Sequence, residues 1–551
     1  MNETMNIPDL TGTSGLDEFM RMAEEWELAS ATGKQVEVAP DMRRTVAVFG
    51  NGVVLVARGM RHTTEVKSVL DRARHVGIMP RIFREADVPF IVSLYDRLDG
   101  ISADRLRETL DLERQRELAR LIEEAGRNKA SDIHMRVLPT HTEVKIRVNG
   151  RMRQLQNISA ENGQAMIRAA FAVASGQGST GTDSTFQQGA LNSRSGLLPP
   201  ALEMIRLQYS PTSEQRGAVV MRLKYFGRSG ETDVDSLGYA PEQVADLRNM
   251  RLKTNGMYIL AGKVSSGKTT TLQRCLNAMY LEKRGEISIY AAEDPKELEL
   301  SGAIQAQINA GADSVDAFRT AMKAALRSDP NVIVLGEIRS EELAEMAVEA
   351  AKTGHALWST VHAGSALGIL NRLLNLKADR EDLKDPRTVG GLIYQRLVGV
   401  VCRHCRIPYP KAVRQGLLDE DLAARFTAVS GIAAEGLFVR GPGCRHCQLG
   451  LTGRTVVAET VRPDAALLEI YMDRSRLEAE RYWLTPRAKG GLGGAPVLHH
   501  ALAKVGAGIA DINEVQEEVD LLETYEREHA DMIDRLRGDI GALRLREAAH
   551  G

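Results

Sequence analysis

The sequence predicts a multidomain α/β protein, and three observations carry that prediction. At 551 residues the chain exceeds the size at which a single hydrophobic core keeps growing. Its second half alternates short apolar runs with stretches of helical periodicity, the pattern of a parallel sheet covered by helices. One such run, residues 257–260, enters Gly-Lys-Val-Ser-Ser-Gly-Lys-Thr at 262–269, a glycine-bracketed turn that opens a helix. Composition agrees, with 43% hydrophobic and 26% charged residues. Since 71 basic residues against 73 acidic give a net charge of −2, no global field draws the chain to nucleic acid or anionic lipid.

Residues 1–100 read as a small α/β module whose polar start is expected to fray. Helical spacing at 16–31 and 63–75 flanks a strand-rich stretch at 45–58, where Val46, Val48, Val53, Val54 and Val56 surround the turn Gly50-Asn51-Gly52. Residues 101–232 read as an α+β domain. It begins with a charged amphipathic helix at 102–128, and then residues 143–150 alternate polar and apolar up to Asn149-Gly150, a strong hairpin signal. A second helix is expected at 163–174, a mobile Gly/Ser/Thr-rich loop at 175–195, strands at 202–209 and 217–225, and a hinge at 227–232.

The third domain spans 237–515. Its buried strands are expected at 257–260, at 286–292 running into Glu293-Asp294-Pro295, at 331–335 running into Gly336-Glu337, and at 355–362. Ligands of such sheets sit at the carboxyl ends of the strands. A charged tail, 516–551, reads as a solvated helix. The start of the chain lacks the basic and apolar regions of a leader, and no apolar run reaches the ~18 residues of a membrane span. The expectation is a cytoplasmic protein that meets membrane only through a partner.

The chemistry concentrates in three places. Gly262, Lys263, Val264, Ser265, Ser266, Gly267, Lys268, Thr269 and Thr270 form a phosphate cradle: loop amides and a helix N-terminus face the phosphates, Lys268 reaches the β/γ oxygens, and the Thr269 hydroxyl binds Mg²⁺. Glu337, ending a four-residue apolar strand, is placed to activate water, and Glu293 with Asp294 forms a second acidic site or an N-cap. His355 and His362 bracket one strand at an odd separation, so at most one faces the nucleotide unless the strand ends bend. Cys402, Cys405, Cys444 and Cys447 form two CxxC knuckles, the donor set of a closed structural zinc site. A redox pair would leave the second knuckle unexplained, and His404 or His446 could replace one thiolate. Cys275, on the apolar face of the helix after the cradle, reads as core.

In their order these blocks resemble the secretion ATPases of type II secretion and type IV pilus assembly. The resembling elements are the Walker A box at 262–269, an aspartate box at 293–295, an atypical Walker B at 326–339 and a histidine box at 353–362. The resemblance extends to Ala-Ser-Asp-Ile-His at 130–134, to the stretch 206–222, to Gln395-Arg-Leu-Val398 and to Gly450-Leu-Thr-Gly-Arg454. It implies a RecA-like domain with an inserted tetracysteine zinc subdomain at 398–455, preceded by a PAS-like domain whose Arg206 and Arg222 reach the nucleotide. It further implies ATP, Mg²⁺ and Zn²⁺ as cofactors, a homo-hexamer that turns an inner-membrane platform protein, and no nucleic-acid partner. Glu337 and Glu293, with Lys268 and either His362 or His355, are the catalytic set. A DNA-transfer ATPase on the same core, or an ATP-switched scaffold with little turnover, are the rival readings. Lys263-Val-Ser-Ser266 departs from the Pro-Thr-Gly-Ser usual in the family and costs the loop one glycine.

Overall fold

The structure, a computed structural model, describes residues 10, 13–23, 25–31, 33–98, 103–174, 185–212, 216–226, 231–294, 296, 299–308, 314–530, 537–538, 540–541 and 544. The chain forms two compact units, residues 1–146 with 154–224 and residues 147–153 with 225–551.

Two sheets belong to the first unit, the turn between β5 and β6 excepted. Strands β1 (Val46–Val48), β2 (Val53–Ala57) and β3 (Ile82–Ala86) lie in that order, with β1 and β2 forming the hairpin expected around Asn51. Every residue of β1 and β2 is buried. The second sheet contains β4 (Asp132–Val137), β5 (His141–Val148), β6 (Arg151–Ser159), β7 (Gln187–Leu191), β8 (Leu202–Pro211) and β9 (Gly217–Tyr225), in the order β6-β5-β4-β9-β8-β7. Asn149 and Gly150 take φ of 49° and 84°, the left-handed pair that a two-residue hairpin requires. β7 corrects the expectation of a loop over 175–195: residues 187–191 pair antiparallel with β8 as an edge strand, while 175–184 lie outside the described residues. The expected fraying at 1–9 and most of the hinge at 227–232 also lie outside them.

The second unit is built on β10 (Gly256–Ala261), β11 (Ile289–Glu293), β12 (Ala303–Gln307), β13 (Val332–Leu335), β14 (Ala356–Val361), β15 (Val389–Val401), the short ribbon β16 (Ile407–Pro408) and β17 (Phe438–Val439), and β18 (Leu451–Val461). All but the ribbon form one sheet in the order β12-β11-β13-β14-β10-β15-β18, parallel except for the last pair. Both faces are covered. Along β10, Met257, Ile259 and Ala261 enter one core while Tyr258 and Leu260 enter the other, as the two-residue period demands. Tyr258 stacks on Trp358 of β14, ring centroids 4.8 Å apart, on the second face.

Residues between β15 and β18 carry both CxxC knuckles and the helices Tyr409–Arg414 and Glu420–Ser430. The tail differs from the solvated helix expected. Leu522 and Tyr525 are buried in the core of this unit, Tyr525 bonds His499, and Glu526 pairs with Arg425 at 2.9 Å. Apolar residues three apart on an otherwise charged helix face the core, and the charges around them hide that stripe in the sequence.

Candidate active site

Parallel register aligns the carboxyl ends of four strands. Ala261 stands beside Val361, Val334 beside Trp358, and Ala292 beside Leu335. The next residues, Gly262, His362, Gly336-Glu337 and Glu293, therefore share one edge of the sheet. Ser359 and Thr360 of β14 donate to the carbonyls of Leu335 and Gly336 at 2.6 and 2.9 Å, and Ile338 N–H bonds the Thr360 carbonyl. These ties fix the turn that carries Glu337.

The phosphate loop follows β10 and opens the helix Lys268–Glu282. Gly267, at φ 84°, occupies the N-cap, and a Cβ on Gly262 would stand 2.4 Å from the Gln395 carbonyl, so both glycines are required by geometry. Ser265, where the family usually has glycine, is held at φ 63°. Lys268 Nζ donates to the carbonyls of Gly262 and Lys263 at 2.9 and 3.1 Å, over the mouth of the loop. Thr269 and Thr270 occupy the first turn of the helix, the end whose leading amides have no partner further back along the helix. This arrangement fits a phosphate chain with a divalent cation. Cys275 on the same helix is fully buried, and burial pushes its thiol up to about 11, as a packing residue requires.

Glu337 Oε1 lies 3.1 Å from His362 Nε2, and its other oxygen is 3.6 Å from Arg339. Glu293 is buried and accepts a hydrogen bond from Gln305 Nε2 at 2.9 Å. Asp294 follows it; Pro295 of the same box lies outside the described residues. His355 is not in this group. It precedes β14 at the end away from the loop, roughly 20 Å from His362 at ~3.3 Å per strand residue. There its Nδ1 lies 3.2 Å from Thr353 Oγ1 and 3.3 Å from the Ala350 carbonyl at the end of the helix Glu341–Lys352. Arg206 and Arg222 lie on β8 and β9 of the first unit, where Arg222 donates to Asp132 at 3.0 Å.

Three residues hold the loop without having been legible as doing so. Gln395 of β15, fully buried, donates to the Ser266 carbonyl at 2.7 Å and accepts from Tyr239, whose hydroxyl also meets Thr271. Arg454 of β18 reaches the Ser265 carbonyl at 3.4 Å. The available signal was Gln395 itself, a polar residue inside the apolar run 392–398.

The four cysteine sulfurs all lie within 4.8 Å of one another, with Cys402–Cys444, Cys405–Cys447 and Cys444–Cys447 at 3.8, 3.6 and 3.6 Å. A tetrahedron with Zn–S bonds of about 2.3 Å has edges of about 3.8 Å, so the cluster is compatible with zinc. Cys444 and Cys447 sulfurs accept backbone N–H bonds from His446 and Cys444. His404 and His446 do not replace a thiolate; their rings stack on each other at 4.1 Å.

Residues 111–517 match the family described as type II/IV secretion system protein. The chain belongs to that family. Among relatives of this secretion-system protein, the type II secretion system protein HxcR of Pseudomonas aeruginosa is 32% identical over 58% of this chain and 63% of its own length. Type II secretion system protein E of the same organism is 31% identical over 75% of this chain and 78% of its own. Its type IV pilus assembly ATPase PilB is 35% identical over 46% and 42%. The chain thus spans less than two thirds of HxcR and less than half of PilB. A crystal structure of the pilus retraction motor PilT with ADP aligns with 72% of this chain at 19% identity and a TM-score of 0.48. The matched stretch of this secretion-system protein includes the phosphate loop, Glu337 and His362. Its described residues include no helix long and apolar enough to cross a membrane.

Proposed function

We propose that this protein is the ATP-hydrolysing motor of a type IV pilus assembly or type II secretion machine. It works as a homo-hexamer in the cytoplasm, peripheral to the inner membrane, and turns a platform protein that lifts pilin-like subunits. The observation that carries the reading is the Glu337–His362 contact on the same strand edge as the phosphate loop. Names of relatives, protein E and PilB, support the machine; the net charge of −2 supports the absence of a nucleic-acid partner.

The Thr269 hydroxyl would hold a Mg²⁺ ion, which when bound would offset charge on the phosphate oxygens. The amides from Gly262 to Gly267 and the turn through Thr270 hold the phosphates, Lys268 clamps the β/γ oxygens, and Thr269 would give its hydroxyl to the metal. Glu337 takes a proton from the attacking water while His362 orients its carboxylate and senses the γ-phosphate. Glu293, steadied by Gln305, assists. Arg206 and Arg222 act as an arm that closes over ATP and withdraws after hydrolysis. The working divisions are a module at 1–100, a PAS-like domain at 101–232, a RecA-like domain at 237–515 with its zinc-bound subdomain, and the tail from 516.

Two measurements test this. Purified protein is expected to hydrolyse ATP faster when the cytoplasmic part of the platform protein is added and to sediment as six copies. Stimulation by double-stranded DNA instead would favour the DNA-transfer reading and reject this one.

A further inference from the structure

Beside the catalytic edge is a cavity of about 200 Å³ with His362 in its wall. The loop after His362 and the helix Gly368–Asn375 form one side, lined by Ser365, Gly368, Asn371 and Arg372; Arg476 closes the other. Among the described residues no carboxylate lines it. Arg372 and Arg476 make no ion pair among the described residues, and the Nε of Arg372 is buried with no hydrogen-bond partner. Arg476 has only a 3.4 Å contact with Ser365 Oγ. Two acids of the surrounding elements have other hydrogen-bonding partners: Glu337 faces His362, and both oxygens of buried Glu459 accept from the amides of Ala366 and Val497, although Arg476 is near enough to favour its charged form. Two guanidinium forks that no carboxylate meets in a salt bridge among the described residues, in a space that water molecules of about 30 Å³ each would otherwise fill, form a receptor for a tetrahedral oxyanion.

The geometry points to a product site: inorganic phosphate cut from ATP is held between Arg372 and Arg476 after it passes His362. The inference deepens the proposed hydrolysis and rests on it, because only that reaction supplies phosphate at Glu337. A cation-lined chamber whose wall includes His362, the residue in contact with Glu337, gives the departing phosphate a route that does not require nucleotide release.

The test is calorimetric titration of inorganic phosphate into the full-length chain saturated with ADP and Mg²⁺, comparing wild type with Arg372→Gln, Arg476→Gln and the double variant. Saturable binding of one phosphate per chain is expected, weakened at least tenfold in the double variant while ADP affinity stays within twofold. Should Arg372→Gln lose ADP binding through misfolding, Arg476→Gln, altered at an exposed position, carries the comparison alone. Absence of saturable phosphate binding, or binding that survives both substitutions, overturns the proposal. So does failure of phosphate to bind combined with loss of assembly in the double variant, which would assign the cavity to an acidic side chain of a second copy. Because the titration needs no turnover, its outcome is independent of whether Glu337 is the catalytic base.

Discussion

The side-chain amide of Gln395 donates to the carbonyl of Ser266 at 2.7 Å, fastening the phosphate loop to β15, the neighbour of β10 on the side away from β14. Its own carbonyl oxygen is taken by Tyr239, which also bonds Thr271 on the helix after the loop. Gln395→Ala leaves a buried hydroxyl and a buried carbonyl short of partners, a loss of about 1–3 kcal/mol. ATP affinity, followed by titration of a fluorescent analogue, is expected to fall about tenfold if roughly 1.4 kcal/mol of that appears in binding. Unchanged affinity would remove Gln395 from the loop's support.

Ser265 occupies a left-handed conformation at φ 63°, which costs a non-glycine residue about 1–2 kcal/mol. Ser265→Gly therefore stabilises the native loop, offset in part by the freedom glycine adds to the unfolded chain. A higher thermal midpoint and Ser265→Val lower than wild type are the expected order. The reverse order in a melting experiment would show that the loop relaxes around its serine.

The cysteine cluster predicts one zinc per chain by elemental analysis. Removal by chelator, or Cys402→Ser with Cys444→Ser, is expected to open residues 398–455 to protease before the sheet from β10 to β14 is cut, because metal ligation supplies folding energy locally. Protein purified without chelators and carrying no zinc would contradict the site.

Glu459 gives a pH signature. Burial pushes its carboxyl up to about 7 from an ordinary 4.5, against the two amide bonds that favour the ionised form. Above 4.5 the unfolded chain sheds a proton that the fold retains. The contribution to stability is full below 4.5 and is lost as pH rises through 7, on the order of 3 kcal/mol in all. Wild type is expected to weaken between pH 5 and 8 relative to Glu459→Gln; parallel stability curves would contradict the assignment.

The legible parts of the sequence were those where a local pattern and the fold agree. β10 and β13 are short, largely apolar runs, one leading into the phosphate loop and the other into Gly336-Glu337, so the edge that gathers Gly262 and Glu337 was readable in advance. β15 was not read as a strand because Gln395 and Arg396 interrupt its apolar run, and Gln395 interrupts it in order to serve a loop distant in sequence. β12 is a half-polar edge strand, Ala-Ile-Gln-Ala-Gln, whose Gln305 steadies Glu293. His355 and His362 could not be separated by spacing alone. Only the register of β14 against β10 puts one at the loop and the other at the opposite end.

Glu337→Gln is the most direct test of the whole account, since it removes one proton acceptor and keeps the shape of the side chain. Single-turnover assays with radiolabelled ATP and Mg²⁺ are expected to show wild-type ATP retention and hydrolysis reduced at least a hundredfold, the scale of general-base catalysis. ADP formed by the variant at the wild-type rate would contradict it.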